Sequence, residues 1–367
     1  MLSILENSRS IRWLGKQLFN REDPSAFFDP LLSQLDPMMV RQYIPARVIE
    51  IFDETADTKT FVLKPATRWP GFGAGQHVNI CIEIDGTRHN RTFSLSCSPE
   101  QWRQQGTVSL TIKRLPGGRV TNWMHDNLKP GAVLGLGDAF GEFQLPVNPE
   151  PLLYIAGGSG ITPILSQLES LAGADWRAPV TLLYFVRTQA DVIAAEKLYA
   201  IQQRWPAFSL NVVTTEDGDT PQYLSDQHLE QVPGVNARRC YLCGPKGLMD
   251  LASELLHRRG VTEDRIHSTF FSAPAAALVS DELGGEVRFS RSELTVSSEG
   301  DAALLDIAEA ARLSPQSGCR MGICHQCSCR KTSGTVINRL TGKASGPGEE
   351  SIQLCISIPQ GPVTVDL

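Results

Sequence analysis

Leu152-Leu153-Tyr154-Ile155-Ala156-Gly157-Gly158-Ser159-Gly160-Ile161-Thr162-Pro163 decides how the middle of this chain folds. Leu152–Ala156 is an unbroken apolar run, short enough to be a strand buried on both faces. Three glycines and a serine follow, a turn in which backbone can approach a ligand closely. Pro163 falls where the first turn of a helix needs no amide donor, and an apolar-periodic helix continues from it. A strand that passes through a glycine turn into a helix is how a βαβ unit begins, although a turn of this kind alone is as often structural as ligand-binding. Val180–Val186 and Leu210–Val213 read as further buried strands, and Cys240–Leu242 is expected to close the set. Strands alternating with helices predict a parallel α/β sheet.

Before this unit the pattern differs. Thr60–Leu63, His77–Ile84, Arg91–Ser96 and Thr107–Lys113 are short β-type runs, broken at Gly71–Gly75 and Pro116–Gly118. Closely spaced strands with little helix predict a small antiparallel barrel. Residues 1–20 carry Ile4, Ile11, Leu14 and Leu18 at helical spacing with Arg9, Arg12 and Lys16 between them. Two readings stay open for this amphipathic segment: a helix packed on its own protein, which is favoured, or one lying at a membrane surface. Residues 22–38 read as connector. After the α/β unit an Ala-rich linker over 273–285 leads to a hairpin over Glu286–Val296, a helix over Ala302–Leu313 and a loop dense in cysteine.

The 367 residues are too many for one core and suggest two or three domains. With 41% apolar and 20% charged residues the composition is globular. A net charge of −6 argues against a nucleic-acid partner, since such proteins usually carry a basic excess. No run of about eighteen apolar residues is present to span a bilayer, and no signal peptide is legible, so a cytoplasmic location is expected, with peripheral contact at the inner membrane face through residues 1–20 as a further possibility.

Five of the nine cysteines lie within residues 319–355. Cys319, Cys324 and Cys327 are spaced C-x4-C-x2-C, and Cys355 follows at a distance, the plant-type [2Fe-2S] spacing. Four thiolates must surround two irons, three from one loop and the fourth from a distant strand. Gly318 and Gly322 suit a loop whose amides turn inward onto sulfur. Zinc sites usually pair two short knuckles, disulfides are unexpected without export, and a Rieske centre needs two histidines where only His325 lies in the loop. Cys329 is an alternative ligand, but Cys327 preserves the spacing, so Cys329 is expected to be a non-ligand, buried or partly so, and His325 an exposed loop residue.

Arg91-Thr92-Phe93-Ser94 resembles the R-x-[YF]-[ST] signature of the ferredoxin–NADP reductase superfamily. The resemblance covers about residues 44–367. It implies a multidomain β, α/β and α+β chain: an antiparallel FAD-binding β-barrel over 44–148, a parallel α/β NAD(P)-binding domain over 149–272, and a β-grasp [2Fe-2S] ferredoxin domain over 286–367, after an N-terminal helical and connector segment over 1–43. By position, Arg91 would hold a flavin phosphate through a charged fork, Phe93 would cover the isoalloxazine, and Ser94 would hydrogen-bond N5, where hydride arrives; Thr92 completes the motif. Phe93 stands where tyrosine is commoner, so a phenol hydrogen bond is lost. Lys113 ends a strand, and Gly117-Gly118-Arg119-Val120-Thr121 looks like the family's turn and helix start for the flavin pyrophosphate, with Lys113, Gly118, Val120 and Thr121 as cofactor contacts. The segment Asp138–Phe143 resembles the one near the adenine end, favouring FAD over FMN.

The same resemblance assigns Gly158, Ser159, Gly160 and Thr162 to the nucleotide pyrophosphate. It also assigns Cys243, Gly244, Pro245 and Met249 to the nicotinamide side, with Cys243 orienting the hydride-donating carbon; Cys240 is read as core. Ser94 and Cys243 are thus the candidate catalytic residues. Arg187, just after a strand with no acidic residue at its immediate end, suits a 2′-phosphate, so NADPH is expected over NADH. A nicotinamide gives two electrons as hydride and the cluster takes one at a time, a mismatch that a flavin between them bridges. The domain order implies a terminal electron acceptor protein. A membrane fatty-acid desaturase is the first expectation, and a soluble hydroxylase, ring-dihydroxylating dioxygenase or cytochrome P450 is the second. A slow redox sensor or regulatory subunit is the reading from another class.

Overall fold

The computed structural model describes residues 29, 32–41, 43–174, 176–218, 221–269, 283–300, 302–318, 320, 322 and 325–367. The amphipathic segment expected over residues 1–20 and residues 273–282 of the expected linker lie outside them.

Six strands, β1 (Ile44–Thr55), β2 (Thr58–Pro65), β3 (His77–Ile84), β4 (Thr87–Ser94), β5 (Val108–Lys113) and β6 (Val133–Phe140), form an antiparallel sheet in the order β4-β3-β6-β1-β2-β5. A bridge between Leu95 and Leu110 joins its two edges and closes it into a barrel. The period-two pattern drives this: Val78, Ile80, Ile82 and Ile84 of β3 are buried together with Phe61 and Leu63 of β2. The β3–β4 hairpin turns on Asp85 and Gly86, both at positive φ (51° and 74°), the twist that two-residue hairpins favour. Two strands, β1 and β6, and the helix Pro99–Gln105 were not legible. Over its second half β1 is acidic and exposed, so it shows no apolar alternation.

Five parallel strands follow: β7 (Leu152–Gly157), β8 (Val180–Val186), β9 (Phe208–Thr214), β10 (Arg239–Cys243) and β11 (Ile266–Thr269), in the order β11-β10-β7-β8-β9. The expectation that Cys240–Leu242 closes the set is corrected by β11. After Ile266 its residues are polar, and none of the four is buried, as suits an edge strand, so no apolar run announced it. The helices Ile161–Gly173 and Ala195–Arg204 contribute to an apolar core with Tyr154, Leu182 and Tyr184, while Lys246–Arg258 packs into a second core with Leu153, Ile155 and Leu242.

The last sheet is β12 (Gly284–Phe289), β13 (Leu294–Glu299), β14 (Ser328–Asn338), β15 (Glu350–Gln353) and β16 (Ser357–Val365), in the order β13-β12-β16-β14-β15. Only β12 and β16 are parallel among these pairs. The helix Leu304–Ala310, shorter at both ends than the expected Ala302–Leu313, packs Leu304, Leu305, Ile307 and Ala308 into the core of this sheet. The chain is therefore an antiparallel barrel, a parallel α/β domain and a β-grasp domain in sequence.

Polar contacts join the first two. Gln167 Nε2 donates to the Phe143 carbonyl at 2.8 Å, Tyr241 OH donates to the Gln144 carbonyl at 2.6 Å, and the Ala194 amide donates to Glu54 Oε2 at 3.0 Å. Gly75 lies at this seam, with φ +91° and space for no Cβ, which would stand 2.0 Å from the Phe143 carbonyl oxygen. With two-sided contacts of this kind, the barrel and α/β domain present one continuous surface to a ligand.

Candidate cofactor and cluster sites

The glycine turn after β7 opens onto a cavity of about 460 Å³ at the C-terminal ends of the parallel strands, where α/β sheets bind ligands. Gly157, Gly158, Pro245, Arg187 and Asp191 line it, together with Lys113 of the barrel. Behind this wall the turn is pressed against β10: a Cβ on Gly160 would lie 2.0 Å from the Cys243 carbonyl oxygen. Thr162, buried, donates to the Ser159 carbonyl at 3.1 Å. Tyr184 OH donates to the Gly158 carbonyl at 3.0 Å and accepts from the Ile193 amide at 3.3 Å. Tyr184 was missed by sequence reading; its one signal was a phenol in a buried strand, which needs a partner.

Of the residues expected to touch the nicotinamide, Gly244 abuts the Gly157 backbone, whereas Met249 and Cys243 are buried in apolar cores. Burial pushes the Cys243 thiol far up, so it stays protonated. It lies behind the turn rather than in the cavity wall. Arg187 meets Asp191 at 2.8 Å and Asp57 of the barrel at 3.7 Å, and Asp57 also meets Lys113 at 3.2 Å. Neither carboxylate was legible, one lying four residues on and the other in a different domain.

In the barrel, strand alternation sets His89, Arg91 and Phe93 on one face of β4 and Thr92 and Ser94 on the other. Thr92 Oγ1 donates to Asn79 Oδ1 at 2.6 Å, Phe93 packs half-buried on the barrel core, and Ser94 is buried opposite His77. Arg91 is half-buried; its Nη1 donates to the Asn90 carbonyl at 2.7 Å, and among the described residues it makes no ion pair. Burial, then the nearby charge of Arg320, pull its pKa down, with Glu309 opposing. A guanidinium in that condition is suited to an incoming phosphate. Gly118 caps the helix Arg119–Asn127 without a side-chain hydrogen bond, leaving its first amides for a ligand, with Val120 and Thr121 buried beneath. These residues fit a flavin phosphate.

In the β-grasp domain Cys327 and Cys355 are buried, with their sulfurs 3.2 Å apart. That is beyond the roughly 2.05 Å of a disulfide, and no disulfide joins the described cysteines. Cys319 and Cys324 lie outside the described residues. Gln353 Nε2 donates to the Gly322 carbonyl at 2.7 Å and ties the loop to β15. Cys329 faces away, its sulfur 3.6 Å from the Asp366 carbonyl oxygen, and His325 is exposed. Two thiols in a dry setting, brought together from a loop and a distant turn, fit an iron–sulfur cluster.

Comparison with known proteins gives three family matches in chain order: an oxidoreductase FAD-binding domain over 45–145, an oxidoreductase NAD-binding domain over 154–254 and a 2Fe-2S iron-sulfur cluster binding domain over 287–360. An NADPH oxidoreductase of Mycobacterium tuberculosis is 31% identical over 92% of this chain and 88% of its own. The chain belongs to the ferredoxin–NADP reductase superfamily. It is an NAD(P)H oxidoreductase of the ferredoxin-reductase type whose cofactors are FAD, a [2Fe-2S] cluster and a nicotinamide nucleotide. Within this superfamily the glycine betaine monooxygenase reductase subunit of Pseudomonas aeruginosa is 29% identical, covering 87% of this chain and 94% of its own. A solved phthalate dioxygenase reductase shares the fold, with a TM-score of 0.66 at 22% identity, over 89% of this chain and 98% of that one.

Proposed function

We propose that this reductase takes hydride from NADPH and delivers single electrons through its cluster to a terminal oxygenase-type acceptor. The observation that carries the redox route is the order of three built sites along one chain: the nucleotide cavity, Arg91 with the uncapped helix at Gly118, and the Cys327–Cys355 pair. When bound, the FAD supplies the conversion of one two-electron donation into two one-electron steps. The chain's own residues bind and orient. The glycine turn with Gly158, Ser159 and Gly160 receives the nucleotide pyrophosphate, and Arg91, Val120 and Thr121 receive that of the flavin. Phe93 lies against the isoalloxazine and Ser94 lies at the end of the same strand. Cys319, Cys324, Cys327 and Cys355 ligate the irons. Since Cys243 is buried, its part is to shape the turn through its carbonyl rather than to touch the nicotinamide.

NADPH is favoured by Arg187 in the cavity wall, although Asp191 competes for its guanidinium; the mycobacterial relative is named an NADPH oxidoreductase. The acceptor class follows the relatives, two of which are named as a monooxygenase reductase subunit and a dioxygenase electron transfer component. A membrane fatty-acid desaturase, the first expectation from the overall resemblance including the segment around Asp29–Tyr43, is the alternative. Anaerobic titration with NADPH and NADH, followed by absorbance and EPR, should show flavin bleaching and then a reduced-cluster signal. A higher kcat/KM for NADH would sink the nucleotide assignment, and turnover only with desaturase-containing membranes would replace the soluble oxygenase.

A further inference from the structure

We propose that Arg320, carried on the cluster loop of the ferredoxin domain, joins Arg91, Arg119 and His89 of the barrel in one anion-binding site, so that both domains grip the flavin phosphate. This rests on the reading of Arg91 given above and extends it across the domain boundary.

The four cationic or potentially cationic groups come from three separate places. His89 and Arg91 share a face of β4, Arg119 begins the helix after Gly118, and Arg320 follows the predicted ligand Cys319. Their charges meet at His89, which feels Arg119, Arg91 and Arg320, and the charge of Arg320 also reaches Arg91. Cations gathered in this way repel one another unless an anion stands among them. Carboxylates answer part of this charge: Glu309 pairs with Arg320 and its charge also reaches Arg91. Arg320 pairs through its two Nη atoms with Glu309 and, at 3.8 Å, Asp306, while Arg119 meets Asp85 at 3.4 Å on the surface.

Two nitrogens remain. Arg320 Nε and His89 Nε2 are both buried without a hydrogen-bond partner among the described residues. An orphaned buried polar group is costly, and two such groups whose charges act on one another call for a ligand. A loop-shaping role for the Arg320–Glu309 pair accounts for the Nη atoms and leaves Nε unexplained. A phosphate oxygen between Arg320 and Arg91 would satisfy Nε, relieve the repulsion and lie beside the uncapped amides of the helix at Gly118. The cluster loop would then be seated by the flavin itself.

The test uses the full-length chain, stripped of flavin and retitrated with FAD or with riboflavin, which lacks phosphate, by fluorescence quenching. Arg320→Gln should weaken FAD about tenfold or more, roughly 1.4 kcal/mol, and leave riboflavin within about twofold. Arg320→Lys, which keeps the charge, should retain part of the FAD affinity. If Arg320→Gln binds FAD as the parent does while Arg91→Gln does not, Arg320 merely shapes its loop and the proposal falls. If neither loses FAD, the assignment of Arg91 falls with it. Equal loss of FAD and riboflavin in both Arg320 variants would mean a disturbed fold and would also overturn the shared site.

Discussion

His77 begins β3 with its ring buried against Phe140, the centroids 4.3 Å apart, and burial pushes its pKa down to about 4. In the unfolded chain the imidazole titrates near 6.5. Between those values the unfolded state holds the extra proton, so this contribution to stability is complete above about pH 6.5 and is lost as the pH falls towards 4. It is worth at most roughly 3 kcal/mol. His77→Phe should flatten the pH dependence of the urea midpoint over that window; an unchanged slope would refute the assignment. At Gly160 the obstacle is a backbone carbonyl that cannot step aside. Gly160→Ala should lower stability by about 2–4 kcal/mol and abolish NADPH-dependent flavin reduction, read by calorimetry and stopped-flow absorbance. Among the cysteines, Cys355→Ser should remove the cluster's visible and EPR signals while ferricyanide reduction at the flavin persists. Cys329→Ser should keep them, because its sulfur faces the C-terminal backbone.

At the scale of an element, β14 carries a lysine that no sequence pattern would place inside. Lys331 is fully buried, its ammonium donating to the carbonyls of Gly334 and Gly346 at 2.8 Å and to that of Gly348. It therefore acts as a pin, holding the segment before β15 against β14 and fixing where the turn bearing Cys355 begins. Lys331→Met would leave three carbonyls without their donor and should cost about 2–4 kcal/mol. The loss should be confined to the ferredoxin domain, with the cluster bleaching at a lower temperature while flavin release is unmoved. Equal shifts in both transitions would count against a local pin. The elements that were legible in sequence share a cause: β3, β7 and β8 each bury a continuous or alternating apolar set. The polar half of β1 and the edge strand β11 do not, and their places come from pairing partners distant in the chain.

For the molecule as a whole, the seam between barrel and α/β domain sets how the two domains face each other. Glu54 accepts from Thr60 Oγ1 at 2.6 Å within the barrel and from the Ala194 amide across the seam. Ala194 stands at φ 55°, in the left-handed region, at the head of the helix Ala195–Arg204. Glu54→Ala should leave NADPH binding within about twofold and slow hydride transfer several-fold, since a misplacement of about 1 Å is enough to do so. A changed nucleotide affinity with an unchanged transfer rate would show that the contact only supports the α/β domain.

By itself the sequence determined the three kinds of domain and the cofactor chemistry. Periodicity, glycine turns and cysteine spacing are local records of what a strand, a phosphate cradle or a cluster loop requires. Only the tertiary structure decided which side chains meet. It buried Cys243 behind the turn it was expected to serve, set Asp191 and Asp57 on Arg187, brought Cys327 to Cys355, and brought the charge of Arg320 within reach of Arg91. Each of these depends on the packing of segments far apart in the chain, and charge and burial are properties of that packing rather than of the residue alone.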